Sequence, residues 1–261
     1  MKSILKEIIQ AKKIEVANSK KKLSLNQLRA EVLKLQRDIR DFRQVLISKK
    51  KVSIIGELKI ASPSKGILHK DLDLEKTALL YEKNGVSAIS VLTDKHFKGK
   101  LSDLKKVRKQ VNLPVLRKDF IVDIYQVYES YIAGADAVLL IAAILTKEKL
   151  AILLEAVHCL GMNAIIEVHD PDEIEKIDFK KARIIGINNR NLDTFEVDLN
   201  TTKLLLKKIP GSMVVVSESG IFSRKDILFL GRNKVNAVLI GEGIVTSSDI
   251  GRQIKKLIGE Q

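Results

Sequence analysis

A single cysteine, Cys159, stands in a chain of 261 residues. One thiol excludes an intramolecular disulfide and any CxxC redox pair. Long apolar runs are missing too: no stretch approaches the roughly 18 residues that a membrane-spanning helix needs. The N-terminal MKSILKEIIQAKK has lysines but no uninterrupted apolar segment, so no signal peptide is expected. The four histidines, His69, His96, His158 and His169, lack metal-ligand spacing. No GxGxxG, GxSxG or P-loop string occurs. These absences predict a cytoplasmic protein with no metal and no cofactor.

What is present is apolar and charged, 45% and 30% of residues respectively, enough for one large α/β domain or two small ones. The net charge of +14 is uneven, because residues 1–51 hold 15 Lys/Arg against 5 Asp/Glu. Such a leader suggests either a phosphate- or nucleic-acid-binding arm or two helices with lysine-rich solvent faces. Phe42 is the leader's one aromatic residue, which argues against stacking on single-stranded nucleic acid. No nucleic-acid partner is expected.

Apolar residues recur at helical spacing over residues 3–17 (Ile4, Leu5, Ile8, Ile9) and 24–47 (Leu28, Val32, Leu35, Ile39, Phe42). Two amphipathic helices are predicted there. Beyond residue 51, eight short apolar runs begin at 52, 87, 113, 136, 163, 183, 213 and 237. Helical segments such as KEKLAILLEAVHCLG lie between them and end on glycine. Eight strand–helix units in this length predict an α/β fold of the (β/α)8 or TIM-barrel type. Residues 1–50 form a helical extension covering one end, and 51–261 the barrel. An open doubly wound sheet competes, but it usually has fewer strands and often a glycine-rich phosphate turn after the first.

Barrel chemistry sits at the C-terminal ends of the strands. There the runs place Glu57 and Lys59, then Lys118, Glu167, Asn188 with Arg190, and Glu218 with Ser219. Residues i and i+2 of a strand share a face, so Glu57 and Lys59 point inward together. Each alone has an ordinary explanation, such as a solvated lysine or a glutamate paired with a neighbour. Converging, they suit proton transfer on an anionic substrate, with paired charges tuning a lysine to act as an acid near neutrality. The last two strands end in SESG (217–220) and IGEG (240–243), where backbone N–H groups can approach a phosphate closely.

Together the strings ELKIASPSKG, SVLTDKHFKG, PVLRKDFIVDIYQVYES, GADAVLLI, IIEVHD, GINNRNLDTFEVD, VSESGI and LIGEGI carry a specific likeness. From about Ile4 to the C-terminus, the sequence resembles the indole-3-glycerol phosphate synthase family. The resemblance implies closure of 1-(2-carboxyphenylamino)-1-deoxyribulose 5-phosphate to an indole, with loss of carbon dioxide and water. Lys118 then looks like the general acid of ring closure, and Glu167 like a base in dehydration. Lys59 would contact the anionic substrate, its phosphate included, and is a second candidate acid; Glu57 would orient or help deprotonate. Asn188, Arg190, Glu218 and Ser219 would hold carboxylate and hydroxyls. Gly220, Gly241 and Glu242 would supply N–H groups to the phosphate. Phe97 and Phe120 would flank the anthranilate ring, and Ser62 would touch substrate. No cofactor or metal is implied, and a monomer or weak homo-oligomer is expected.

The chain departs from the family at Ile60, where a basic residue is usual, and at Lys100, commonly serine. Lysines 20, 21 and 22 are expected to help steer the substrate. The runner-up is another phosphosugar barrel such as a phosphoribosylanthranilate isomerase. That enzyme needs a cysteine and an aspartate as acid and base, and Cys159 is badly placed for such a role.

Overall fold

A computed structural model describes residues 3–47, 51–62, 66–191 and 194–260. Eight parallel strands close into a barrel: β1 (Ser53–Leu58), β2 (Ala88–Leu92), β3 (Val115–Lys118), β4 (Ala137–Ile141), β5 (Asn163–Val168), β6 (Ile184–Asn188), β7 (Val214–Glu218) and β8 (Ala237–Ile240). Each strand pairs with the next in sequence, and β8 returns to β1, with Ser53 level with Ala237. All eight predicted runs are strands, because β-branched stretches buried on both faces suit a sheet wrapped by helices. Several outer helices start on side-chain caps, such as Asp73 before the helix Leu74–Lys83 and Asp123 before the helix Ile124–Ala133.

Inward-pointing residues of the strands, among them Ile55, Leu116, Ile165 and Val216, fill the barrel's lower half. Two residues further along these four strands the inward position turns polar, giving Glu57, Lys118, Glu167 and Glu218. The strand period of two therefore stacks a charged floor on an apolar plug.

The leader differs from the expectation of two helices over one end. Helix α1 (Ser3–Lys22) runs past residue 17, and α2 (Leu25–Lys34) stops before residue 35. Residues 35–41 are non-helical, and α3 (Phe42–Leu46) follows. The chain unwinds because arginines in this stretch have partners in the barrel. Arg40 donates its backbone N–H to Asp136 Oδ1 at 3.0 Å and its guanidinium to the Leu113 carbonyl at 2.8 Å. Arg37 donates to the Ala135 carbonyl. Phe42 and Leu46, both 0% exposed, then insert into the interior cluster at the strand starts. Helix α1 lies at the opposite end, its Leu5 and Ile9 packed on Val122, Phe120 and Ile144. The leader thus reaches both ends of the barrel.

Lys12, 1% exposed, anchors α1 by ion pairs of 2.9 Å to Asp94 and 2.9 Å to Asp119. Lys20 is drawn into an ion pair with Asp123 at 2.8 Å. Residues 61–62 and 66–67 make a short antiparallel hairpin that the sequence did not announce. The middle of the SPSKG loop, residues 63–65, and residues 192–193 of the NLDTF string lie outside the described residues.

Candidate active site

Lys118, at the end of β3, is the hub of the charged floor. Its Nζ lies 3.0 Å from Glu167 Oε2 and 3.3 Å from Glu218 Oε2. Glu57 Oε1 meets Lys59 Nζ at 3.7 Å. The register explains the gathering: Asn188 lies level with Glu218 on β7, and Glu167 level with Gly186 on β6. Asn188 donates to Glu167 Oε1 at 3.4 Å. Glycines make room for the carboxylates, since a Cβ at Gly186 would stand 2.5 Å from Glu218 Oε1. One at Gly241 would stand 2.5 Å from Glu57 Oε1.

Burial favours neutral forms, and the neighbouring charges decide which groups resist it. Burial alone would lower the Lys118 pKa, but Glu167, Glu218 and Glu57 outweigh it and hold the ammonium well above its usual value. This corrects the expectation of a lysine tuned toward neutrality: three carboxylates surround one cation, so they stabilise its charge. Burial pushes Glu167 up, yet Lys118 and His169 overcome that and keep it below the ordinary carboxylate range. Glu218 goes the other way. Burial, with Glu167 and Glu57 as like charges, raises it to about 8 against the pull of Lys118. The two glutamates beside one ammonium are thus pushed in opposite directions, Glu167 down and Glu218 up.

One pocket is lined by every residue that the sequence placed in the catalytic, substrate-binding or phosphate-binding set. Glu57, Lys59, Lys118, Glu167, Asn188 and Glu218 form its charged part. Ser62, Arg190, Ser219, Gly220, Gly241 and Glu242 lie around it. Phe97 and Phe120 complete the set, stacked with ring centroids 6.4 Å apart and Lys59 Nζ 5.5 Å from the Phe97 ring centre. Ser219 and Gly220 are consecutive left-handed residues, with φ of 67° and 78°, which turns the backbone of that loop toward the pocket. Lys100 is not a lining residue; its backbone N–H bonds Asp103 at 2.9 Å.

Several contributors escaped the sequence reading. Leu5 and Ile8 of α1 line the pocket, so the leader supplies part of its apolar wall. Their helical spacing was visible, but not what they would face. Asn189 is buried under the β6–β7 rim. Its amide donates to the carbonyls of Glu218 at 2.9 Å and Ser219 at 3.1 Å, fixing that loop. The doubled asparagine of INNR was the available signal. His169 is 3.2 Å from Glu167 through Nε2 and 3.2 Å from Glu173 through Nδ1. Its position two residues after Glu167 was a hint that a search for metal-ligand spacing passes over.

Residues 5–257 match a family profile described as indole-3-glycerol phosphate synthase. The protein of that name from Caldanaerobacter subterraneus subsp. tengcongensis is 47% identical over 259 residues, covering 98% of this chain and 99% of the relative. Its counterpart from Desulforamulus reducens is 42% identical over 257 residues, covering 98% and 97%. Among solved structures, 3-hexulose-6-phosphate synthase from Salmonella typhimurium superposes with a TM-score of 0.64 at 14% identity, over 80% of this chain and 97% of that one. A mutant tryptophan synthase alpha-subunit from Pyrococcus furiosus gives 0.61 at 16%, over 79% and 98%. At such identities the structural likeness speaks for the barrel alone.

Proposed function

The chain belongs to the indole-3-glycerol phosphate synthase family, and from that premise we propose how its pocket residues divide the reaction. The reaction is that of a carbon–carbon lyase. It closes 1-(2-carboxyphenylamino)-1-deoxyribulose 5-phosphate to indole-3-glycerol phosphate, releasing carbon dioxide and water. The chain acts on this phosphorylated small molecule with residues 51–261 as the catalytic barrel and residues 1–50 as its extension.

Lys118 is the acid of ring closure. As the aromatic carbon attacks the ketone, negative charge grows on the carbonyl oxygen, and an ammonium in a dry pocket stabilises that charge most in the transition state. The high pKa of Lys118 ensures that it is loaded when substrate arrives. The ring iminium then takes up the electrons released with carbon dioxide, so decarboxylation draws on no further group. Glu167, kept ionised, is the base of dehydration, and Lys59 is the acid that serves the departing hydroxyl. Glu57 orients Lys59, which it meets at 3.7 Å.

Arg190, Asn188 and Ser219 hold the substrate's carboxylate and hydroxyls, and the protonated Glu218 donates a hydrogen bond to them. Gly220, Gly241 and Glu242 offer backbone N–H groups to the phosphate, assisted by Lys59. Phe97 and Phe120 enclose the anthranilate ring, with Ser62 at the edge. The pocket is built within one chain, which supports a monomer or weak homo-oligomer. Cys159 is free and exposed, in keeping with a reducing compartment such as the cytoplasm.

The observation that carries this reading is Lys118 held between Glu167 and Glu218. Single-turnover experiments that follow carbon dioxide and indole separately test it. Glu167→Gln should release carbon dioxide at nearly the parental rate and form indole slowly. Equal slowing of both would remove Glu167 from the late step.

A further inference from the structure

Two cavities share a wall at the end of β5. Glu167 lines the active-site pocket, whereas His169 and Glu173 line the neighbouring one, and Asn188 and Arg190 line both. Glu173 belongs to the short helix Pro171–Ile174, capped by Asp170. Its carboxylate accepts the His169 backbone N–H at 2.7 Å and faces Nδ1 at 3.2 Å. The other ring nitrogen, Nε2, faces Glu167 Oε1 at 3.2 Å. The imidazole is 9% exposed and does not line the active-site pocket.

We propose that His169, kept charged by Glu173, is a positioning residue that holds Glu167 ionised and oriented while Lys118 is discharged. The inference rests on Lys118 as the acid and Glu167 as the later base. When Lys118 gives its proton to the ketone oxygen, the ammonium beside Glu167 becomes a neutral amine. Glu167 is 2% exposed, and a buried carboxylate without a cation takes up a proton. It would then be useless as a base in the next step. Asn188 donates to Glu167 but carries no charge. His169 is the cation that stays in place through ring closure.

Glu173 adds to Glu167 in making His169 that cation. Burial alone would neutralise the ring, and Glu167 and Glu173 together overcome it, raising the imidazole to about 10. The two oxygens of Glu167 are also kept apart: Oε1 toward His169 and Asn188, Oε2 toward Lys118. Other charged groups near the ring are Asp170 beside it and Arg190, Glu196 and Asp198 across the outer cavity. None of them stands between His169 and either glutamate.

The test is the pH dependence of kcat in His169→Gln, which keeps an amide donor and loses the charge. Its acid limb should move up by about one pH unit or more, as expected for a carboxylate that loses a close cation. At pH 7, kcat should fall on the order of tenfold and recover at higher pH, with KM within about twofold of the parent. Glu173→Gln, which touches neither Glu167 nor the pocket, should move the limb in the same direction. An acid limb that stays put in both folded variants, with any loss uniform across pH, overturns the proposal and leaves His169 a packing residue. Glu167→Gln separates the two readings: near-parental kcat there would instead show that Glu167 is not the base.

Discussion

Asp119 Oδ1 meets Lys12 Nζ at 2.9 Å, joining the first helix to the residue immediately after Lys118. The same ammonium reaches Asp94, whose other oxygen caps the turn carrying Phe97 by accepting the His96 N–H at 2.8 Å. Asp119 Oδ1 also accepts the Phe120 N–H at 2.8 Å. One buried lysine in the leader thus fixes both aromatic walls of the pocket.

Lys12→Met leaves two buried carboxylates without their shared cation, and should cost about 3–5 kcal/mol in urea unfolding. KM should rise with it, because Phe97 and Phe120 lose their register. Arg117 and Lys12 overcome the burial of Asp119 and hold it at about 2, below its ordinary value. A depressed acid contributes stability above its unfolded pKa, lost as pH falls toward 2. The variant should therefore lose less stability than the parent between pH 4 and pH 2. Unchanged unfolding and KM would show that α1 is held by its apolar contacts alone.

Glu218 predicts a pH effect of the opposite sign. Its folded pKa of about 8 is above the value of about 4.3 expected in the unfolded chain. The folded state keeps the proton that the unfolded state releases, so this contribution is full below about pH 4 and disappears as pH rises through about 8. Glu218→Gln, neutral at every pH, should flatten the fall of Tm between pH 5 and pH 8. It should also remove a basic limb of kcat/KM near pH 8. A Tm profile parallel to the parent's would mean that Glu218 is already ionised at pH 7.

Gly186→Ala separates site geometry from fold. Its Cβ would meet Glu218 Oε1 at 2.5 Å and Ile165 Cγ2 at 2.7 Å. Overpacking of this kind costs about 1–3 kcal/mol. Moving Glu218, and Lys118 with it, by about 1 Å should lower kcat on the order of a hundredfold. Circular dichroism and Tm report the first effect, steady-state kinetics the second. Near-parental kcat would show that the carboxylate can shift without consequence.

The barrel was legible because each strand carries its own apolar run, and β1, β3, β5, β6 and β7 add polar residues where the inward face meets the rim. The pocket residues followed from that same period of two. The leader was less legible. Leu28, Val32, Leu35, Ile39 and Phe42 keep helical spacing, yet residues 35–41 unwind because the partners of Arg37 and Arg40 lie far along the chain, at Asp136, Ala135 and Leu113. The direction of the Lys118 pKa was hidden for a related reason. It depends on three glutamates meeting one lysine, and strings read one at a time show only pairs. Asn189 acts through backbone carbonyls, which no side-chain pattern announces.

The most direct measurement is indole fluorescence from the purified chain incubated with 1-(2-carboxyphenylamino)-1-deoxyribulose 5-phosphate, beside Lys118→Met. Strong turnover by the parent, with kcat lower by about 10²–10⁴ in the folded variant, is the predicted result. Comparable rates from the two would contradict Lys118 as the acid of ring closure and move that role to Lys59.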